Sequence, residues 1–150
     1  MHVVQRPSIE VARERWDSGD FALPNNLAYW ITRAGERIGY LNFQEISDGT
    51  PMLDLRLADH GRGLGFGTRA LDIGLGLMFT LFPAVNRIEG NTRIDNTPMR
   101  RVFEHVGFVK EAHYRQGWAV EGSEPVDSVA YALLRGDWET GTTTPVVWES

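Results

Sequence analysis

From residue 27 to residue 57 apolar-rich runs are separated by turn-forming residues. The segments Leu27–Thr32 (LAYWIT) and Arg37–Ile46 (RIGYLNFQEI) are rich in β-branched and aromatic residues, which predicts strands. Ala34-Gly35-Glu36 between them reads as a hairpin turn. Asp48-Gly49-Thr50-Pro51 is the next turn, and the MLDLRL run that follows alternates over Leu53, Leu55 and Leu57. Strands joined in succession by connections this short predict an antiparallel meander.

The period then lengthens. After a cluster of glycines, Ala70, Leu71, Leu75, Met78, Phe79 and Phe82 fall at helical spacing over residues 68–82, and Pro83 closes the run. Gly74 and Gly76 inside it each cost roughly 1 kcal/mol of helix propensity against Ala, which points to close packing on a sheet. A strand is predicted over 85–90. A short helix follows over 98–106, with Thr97 as N-cap and Pro98 at its first position. Gly107 stands where a left-handed cap is expected, and Phe108 can fold back on Phe103. Strands over 109–120 and 126–134 flank the turn-like Glu121–Pro125. At the other end, Ser8 begins a short predicted helix that Asp17-Ser18-Gly19-Asp20 ends.

The predicted order, with a strand–helix–strand unit inside an antiparallel run, gives an α+β fold with a mixed, mostly antiparallel sheet flanked by helices. Residues 1–140 read as one domain, and 141–150 as a mobile tail.

Composition narrows the function. A net charge of −5 argues against general nucleic-acid binding, which needs clustered Lys and Arg. The absence of cysteine removes thiolate nucleophiles and Cys-based zinc sites, and the four histidines lack metal-ligand spacing, so no metal is expected. The charged N-terminal stretch lacks the apolar run of a signal peptide, and nothing has the length of a membrane span. A cytoplasmic protein without membrane contact is expected.

The glycine cluster is the most specific feature. His60-Gly61-Arg62-Gly63-Leu64-Gly65-Phe66-Gly67 joins a strand to a helix, where backbone N–H groups and the helix N-terminus converge on an anion. Such a loop can cradle a pyrophosphate. It is not a P-loop, because no Lys-Ser or Lys-Thr follows. Gly65 to Ala70 match G-x-G-x-x-A, with Glu89 as a possible ribose acid, but Ala58–Gly61 separate the motif from its strand.

Arg62-Gly63-Leu64-Gly65-Phe66-Gly67 resembles the R/Q-x-x-G-x-G/A signature of GNAT-type N-acetyltransferases. The run from Asn96 to Phe108 looks like that superfamily's second motif, with an Asn, a short helix and an acid three residues before Gly-Phe. Val129 to Trp138 resembles the closing strand of the Rim-type branch, which acetylates protein N-termini. The resemblance implies acetyl-CoA as co-substrate and a primary amine as acceptor. It implies that the backbone of Leu55 and Leu57 aligns the pantetheine like an added strand. Amides of Arg62, Gly63, Leu64, Gly65, Phe66, Gly67 and Thr68 would then hold the pyrophosphate, and Asn96 would reach the pantetheine arm. Asn96 is equally suited to start a helix.

Two departures from the family pattern stand out. Phe103 occupies the position of a general-acid Tyr, and Met99 that of a Ser; neither can donate a proton. A Phe103→Tyr change is expected to leave folding nearly intact. A non-catalytic acyl-CoA sensor is therefore a second reading, and a nucleotide-binding module a third. The branch's first strand and helix are also missing, so the edge at Leu27–Thr32 needs a cover: Met1–Gln5, the tail at Val146–Trp148, or a second subunit in a homodimer.

Direct attack on a thioester requires a neutral amine. Deprotonating a lysine at pH 7 costs roughly 4–5 kcal/mol, an α-amine only about 1. Glu45, Asp54 and Glu89 are alternative candidate bases, acting directly or through water, with His60 and His113 weaker.

Overall fold

A computed structural model describes Glu10 and residues 25–149. The helix expected from Ser8 lies, Glu10 apart, outside the described residues, as do Met1–Gln5. Strands β1 (Leu27–Arg33), β2 (Glu36–Gln44) and β3 (Met52–Leu57) form the predicted meander. Helix α1 (Phe66–Leu81) leads to β4 (Arg87–Arg93), helix α2 (Thr97–Val106), β5 (Val109–Trp118), β6 (Val126–Leu134) and helix α3 (Arg135–Thr140). The strands make one sheet in the order β1-β2-β3-β4-β6-β5, antiparallel except where β3 meets β4. This is the mixed α+β architecture expected from the sequence.

The core lies between the sheet and α1 and α2. Leu71, Leu75, Met78 and Phe79 of α1 are buried with Leu41, Phe43 and Leu53 of the sheet. Each such side chain contributes roughly 1.5–3 kcal/mol by leaving water. Close approach depends on two glycines. A methyl group at Gly74 would stand 2.3 Å from Leu41 Cδ2, and one at Gly90 would stand 2.4 Å from Phe103 Cζ. Gly76 differs from the expectation, since its nearest neighbour would be Trp138 Cζ2 at 3.9 Å, not the sheet.

Several boundaries differ from those predicted. β2 ends at Gln44, because Glu45 takes a left-handed conformation (φ 58°) and Ile46–Asp48 form a 3-10 turn that buries Ile46. α1 begins two residues early, at Phe66. β4 runs to Arg93, where β6 still pairs with it through Ser128. β6 keeps the predicted bounds of 126–134. Helix α3, which the sequence pattern did not predict, takes up the Arg135–Trp138 end of the run resembling the Rim-type closing strand. No side chain caps it. It is fixed instead by tertiary contacts: Arg135 donates to the carbonyls of Val85 (2.8 Å), Phe79 (3.0 Å) and Phe82 (2.8 Å), and Trp138 packs on Phe79 at 5.0 Å.

The tail is tied as far as Thr144, whose N–H and hydroxyl both donate to the Asp137 carboxylate (2.9 and 2.6 Å). Val147 and Trp148 stay exposed. Among the described residues no helix is long and apolar enough to cross a membrane.

Gly90→Ala should lower unfolding stability by about 1–3 kcal/mol, since the Phe103 ring cannot retreat, whereas Gly76→Ala should raise it by up to about 1 kcal/mol. Urea denaturation distinguishes the two. Hydrogen bonds from Thr144 hold the Asp137 carboxyl below its usual pKa. Its stabilising effect is therefore complete above the ordinary carboxylate pKa and is lost as pH falls through the lowered folded value. Asp137→Asn should flatten the acid limb of stability against pH, read by circular dichroism between about pH 5 and pH 2.

Candidate functional site

The sheet opens between β3 and β4. The two strands pair at one position, Met52 with Glu89, where the Glu89 N–H donates to the Pro51 carbonyl at 2.9 Å. Beyond that pair they diverge. On the other side of β3, the Ala58 N–H donates to the Ile38 carbonyl at 2.7 Å. Strand alternation then turns the backbone groups of Leu55 and Leu57 into the gap. The Leu57 carbonyl there accepts a bond from Arg62 Nε at 3.1 Å.

The glycine loop lies at the mouth of this wedge. Asp59–Gly61 form a 3-10 turn, with Gly61 seated against Ile38. Gly63 (φ 73°) and Gly65 (φ 81°) are left-handed, and neither position has a neighbour within 4 Å of a would-be side chain. Gly65 is the N-cap of α1 and supplies no side chain, and the helix carries no acid in its first turn. The first helical bond runs from the Arg69 N–H to the Gly65 carbonyl. The preceding amides, through Phe66, Gly67 and Thr68, therefore point out of the helix end with its partial positive charge. A methyl at Gly67 would lie 3.4 Å from Leu57 and 3.9 Å from Val102, so the helix end, the β3 edge and α2 meet there. Leu64 projects outward at the loop tip, 56% exposed. Arg62 is held back by Asp59 at 3.1 Å and by Leu57.

Asn96, not Thr97, is the N-cap of α2. Its Oδ1 accepts from the Met99 N–H at 3.3 Å, and its Nδ2 donates to Thr92 Oγ1 at 3.1 Å. Thr97 becomes the first helical residue because the Asn amide reaches the third amide of the helix. Phe103 lies in the core, 1% exposed, stacked on Tyr131 at 5.0 Å and tilted against Phe108 at 5.1 Å. The Phe108 contact and the left-handed Gly107 are as predicted.

The three candidate bases do not converge. Glu45 lies past the closed end of the wedge, beyond the Gln44–Met52 pair, roughly 20 Å along the strand from Leu57. Asp54 sits on the sheet face away from α1, where the Tyr40 hydroxyl donates to it at 3.0 Å and Arg56 Nε at 3.1 Å. Burial opposes the Arg56 charge, but Asp54 outweighs it and holds the Arg56 pKa above its usual value. Glu89 is clamped by Arg87 (2.9 Å), which also binds Glu111 (2.8 Å). Glu111 first, against burial and with help from Glu89, raises the Arg87 pKa. These groups line a cavity of about 330 Å³ with Met52, Asn91 and Tyr114.

His60 is exposed beside Glu36, and His113 pairs with Asp127 at 2.7 Å. The Gln116 amide and then His113 hold the Asp127 carboxyl below its usual pKa. Sequence reasoning missed Tyr40, Asn42, Arg87 and Glu111. Only strand alternation and register place them on this face, and the register is not written in local sequence.

Residues 2–109 match the family described as Acetyltransferase (GNAT) domain. No curated protein matches at a significant level. Among solved structures, RimJ from Mycobacterium smegmatis in complex with CoA-disulfide is 27% identical, covering 85% of this chain and 59% of its own, with a TM-score of 0.70. A probable acetyltransferase is 22% identical, covering 87% and 72%, with a TM-score of 0.73. Spermidine/spermine N-acetyltransferase SpeG from Vibrio cholerae is 18% identical, covering 89% and 79%, with a TM-score of 0.78.

The burial of Phe103 reverses the expectation for its substitution. The Phe103 Cζ lies close over Gly90, with no room there even for a methyl group, so a hydroxyl added at Cζ would be crowded. Phe103→Tyr should therefore cost about 1–3 kcal/mol of stability, read as a lowered urea midpoint, instead of leaving the fold unchanged.

Proposed function

The chain belongs to the GNAT acetyltransferase domain family, and from that membership we propose that it transfers the acetyl group of acetyl-CoA to a primary amine by direct attack in a ternary complex. The observation that carries this reading is the splayed pair β3–β4, with Leu55 and Leu57 facing the gap beside the open N-terminus of α1. An extended amide-bearing chain such as pantetheine can add to that strand edge as a further strand would. Two left-handed glycines with free space around them leave room for a pyrophosphate against the helix amides. The RimJ neighbour, solved with CoA-disulfide, supports the choice of coenzyme.

The acceptor is a protein N-terminus or a small-molecule amine. An α-amine suits the site best. It needs only about 1 kcal/mol to be neutral at pH 7, so a single carboxylate suffices as base. Asp54 and Glu89, both on the sheet face beside the wedge, are the candidates nearest to it; Glu45 is remote. Holding amine and thioester together supplies most of the acceleration. Met99 and Phe103 would also suit a non-catalytic acyl-CoA sensor. Transfer of labelled acetyl to any amine eliminates that alternative.

Acetyl-CoA should stabilise the protein by about 2.7 kcal/mol at a hundredfold excess over its dissociation constant. Gly65→Glu places bulk and negative charge at the end of α1 and should remove the whole shift, measured by thermal denaturation. A shift that survives this change would place the coenzyme elsewhere.

A further inference from the structure

Of the large apolar side chains left exposed, Trp30, Ile73 and Leu77 meet in one groove of about 350 Å³ between α1 and β1, an edge strand of the described sheet. On α1 the groove takes Phe66, Ala70, Ile73 and Leu77, which fall on one side of the helix. Leu71, Leu75 and Met78 face the core instead. The helix therefore carries a second apolar stripe, which Leu81 continues, and an exposed stripe of this kind marks a contact surface.

The groove is also basic. Arg69 lines it, the Arg33 guanidinium lies 5.1 Å over the Phe66 ring, and that of Arg37 lies 4.5 Å over the Trp30 ring. Among the described residues none of these three pairs with a carboxylate, whereas Arg56, Arg62, Arg87, Arg93 and Arg135 each do. In a chain of net charge −5, three unpaired guanidinium groups at one apolar groove are a local reversal of sign. Such a surface fits an apolar segment that carries an acid.

The C-terminal tail has that composition. Val147 and Trp148 are 88% and 68% exposed, and Glu149 follows them. The bonds from Thr144 to Asp137 fix the root of the tail on α3. Trp138 of α3 packs on Phe79 and faces Gly76, a different flank of α1 from the one that Ile73 and Leu77 present. An apolar tail and an apolar groove are thus both left in water by a single chain.

We propose that the groove is the docking site for Val146–Glu149 of a second copy of this chain. Val147 and Trp148 fill the apolar floor, and Glu149 meets the arginines. Two copies exchange tails about a twofold axis, so that each groove is closed by the other chain. A tail laid along β1 also covers an edge that would otherwise invite unspecific pairing. The proposal does not depend on the acetyl-transfer chemistry.

Light scattering and sedimentation of the unaltered chain at micromolar concentration should report a dimer that weakens as salt rises. Trp148→Ala and Ile73→Glu, both at exposed positions, should keep the circular dichroism spectrum and raise the dimer dissociation constant about 10-fold or more. Trp148 lies outside every helix and strand, so its variant decides even where Ile73→Glu does not fold. The chain has no cysteine, so Val147→Cys chains mixed with Leu77→Cys chains should form a disulfide between the two on mild oxidation. A monomer at that concentration, a dimer indifferent to Trp148→Ala, or mixed chains that do not cross-link would overturn the proposal. A disulfide formed only within one chain carrying both cysteines would assign the groove to the chain's own tail, and would overturn it too.

Discussion

The pairing of Met52 with Glu89 is the constraint on which the rest of the site depends. Parallel strands in one sheet ordinarily stay in register, so a pair that meets once must be pulled apart by what packs on each strand. β3 is drawn to α1, whose first turn rests on Leu55 and Leu57 through Gly67. β4 is drawn to α2, because Gly90 admits the Phe103 ring against its backbone. The two helices thus hold the wedge open from one face of the sheet. Phe103 is fixed in turn between Tyr131 and Phe108, so the separation of the strands is set by rigid aromatic packing.

Strand alternation then gives the two faces of the wedge different chemistry. The face toward α1 and α2 is apolar, with Leu41, Phe43 and Leu53 buried. The other face carries Tyr40, Asn42, Asp54, Arg56, Arg87, Glu89 and Glu111. A ligand laid along the β3 edge lies between a dry core and a charged surface. The open N-terminus of α1 stands at one end of that edge, and the ionisable groups of the polar face lie toward the other.

Much of this was legible in the sequence, for identifiable reasons. The meander followed from runs rich in β-branched and aromatic residues and from short turns, and α1 from its helical stripe, because these signals are local. The loop's backbone course followed from glycines whose conformations only glycine adopts easily: Gly63 and Gly65 are both left-handed. The elements missed or given other bounds are those fixed by distant contacts. Helix α3 carries no capping side chain and is set by Arg135 reaching three carbonyls near the end of α1. β4 is lengthened by its partner β6, and β2 is cut short by the left-handed Glu45. The polar face was missed because Arg87 and Glu111, or Asn42 and Asp54, become neighbours only once the register is known.

The burial of Phe103 bears on the chemistry as well as the fold. Where a tyrosine acid is absent and the ring that replaces it faces the core, the departing sulfur needs another proton source. Attack by an amine supplies one, since the nitrogen that forms the new bond still carries a proton that becomes strongly acidic as the bond forms. That route needs no acid on α2, but it needs the amine to arrive neutral. In the reaction proposed, demand would therefore shift from the leaving group to the first deprotonation. An acceptor of low amine pKa reduces the same demand. For the transfer proposed, the absent acid and an acceptor of low amine pKa would be two aspects of one requirement: one proton must leave before the bond forms, and the next can leave after it.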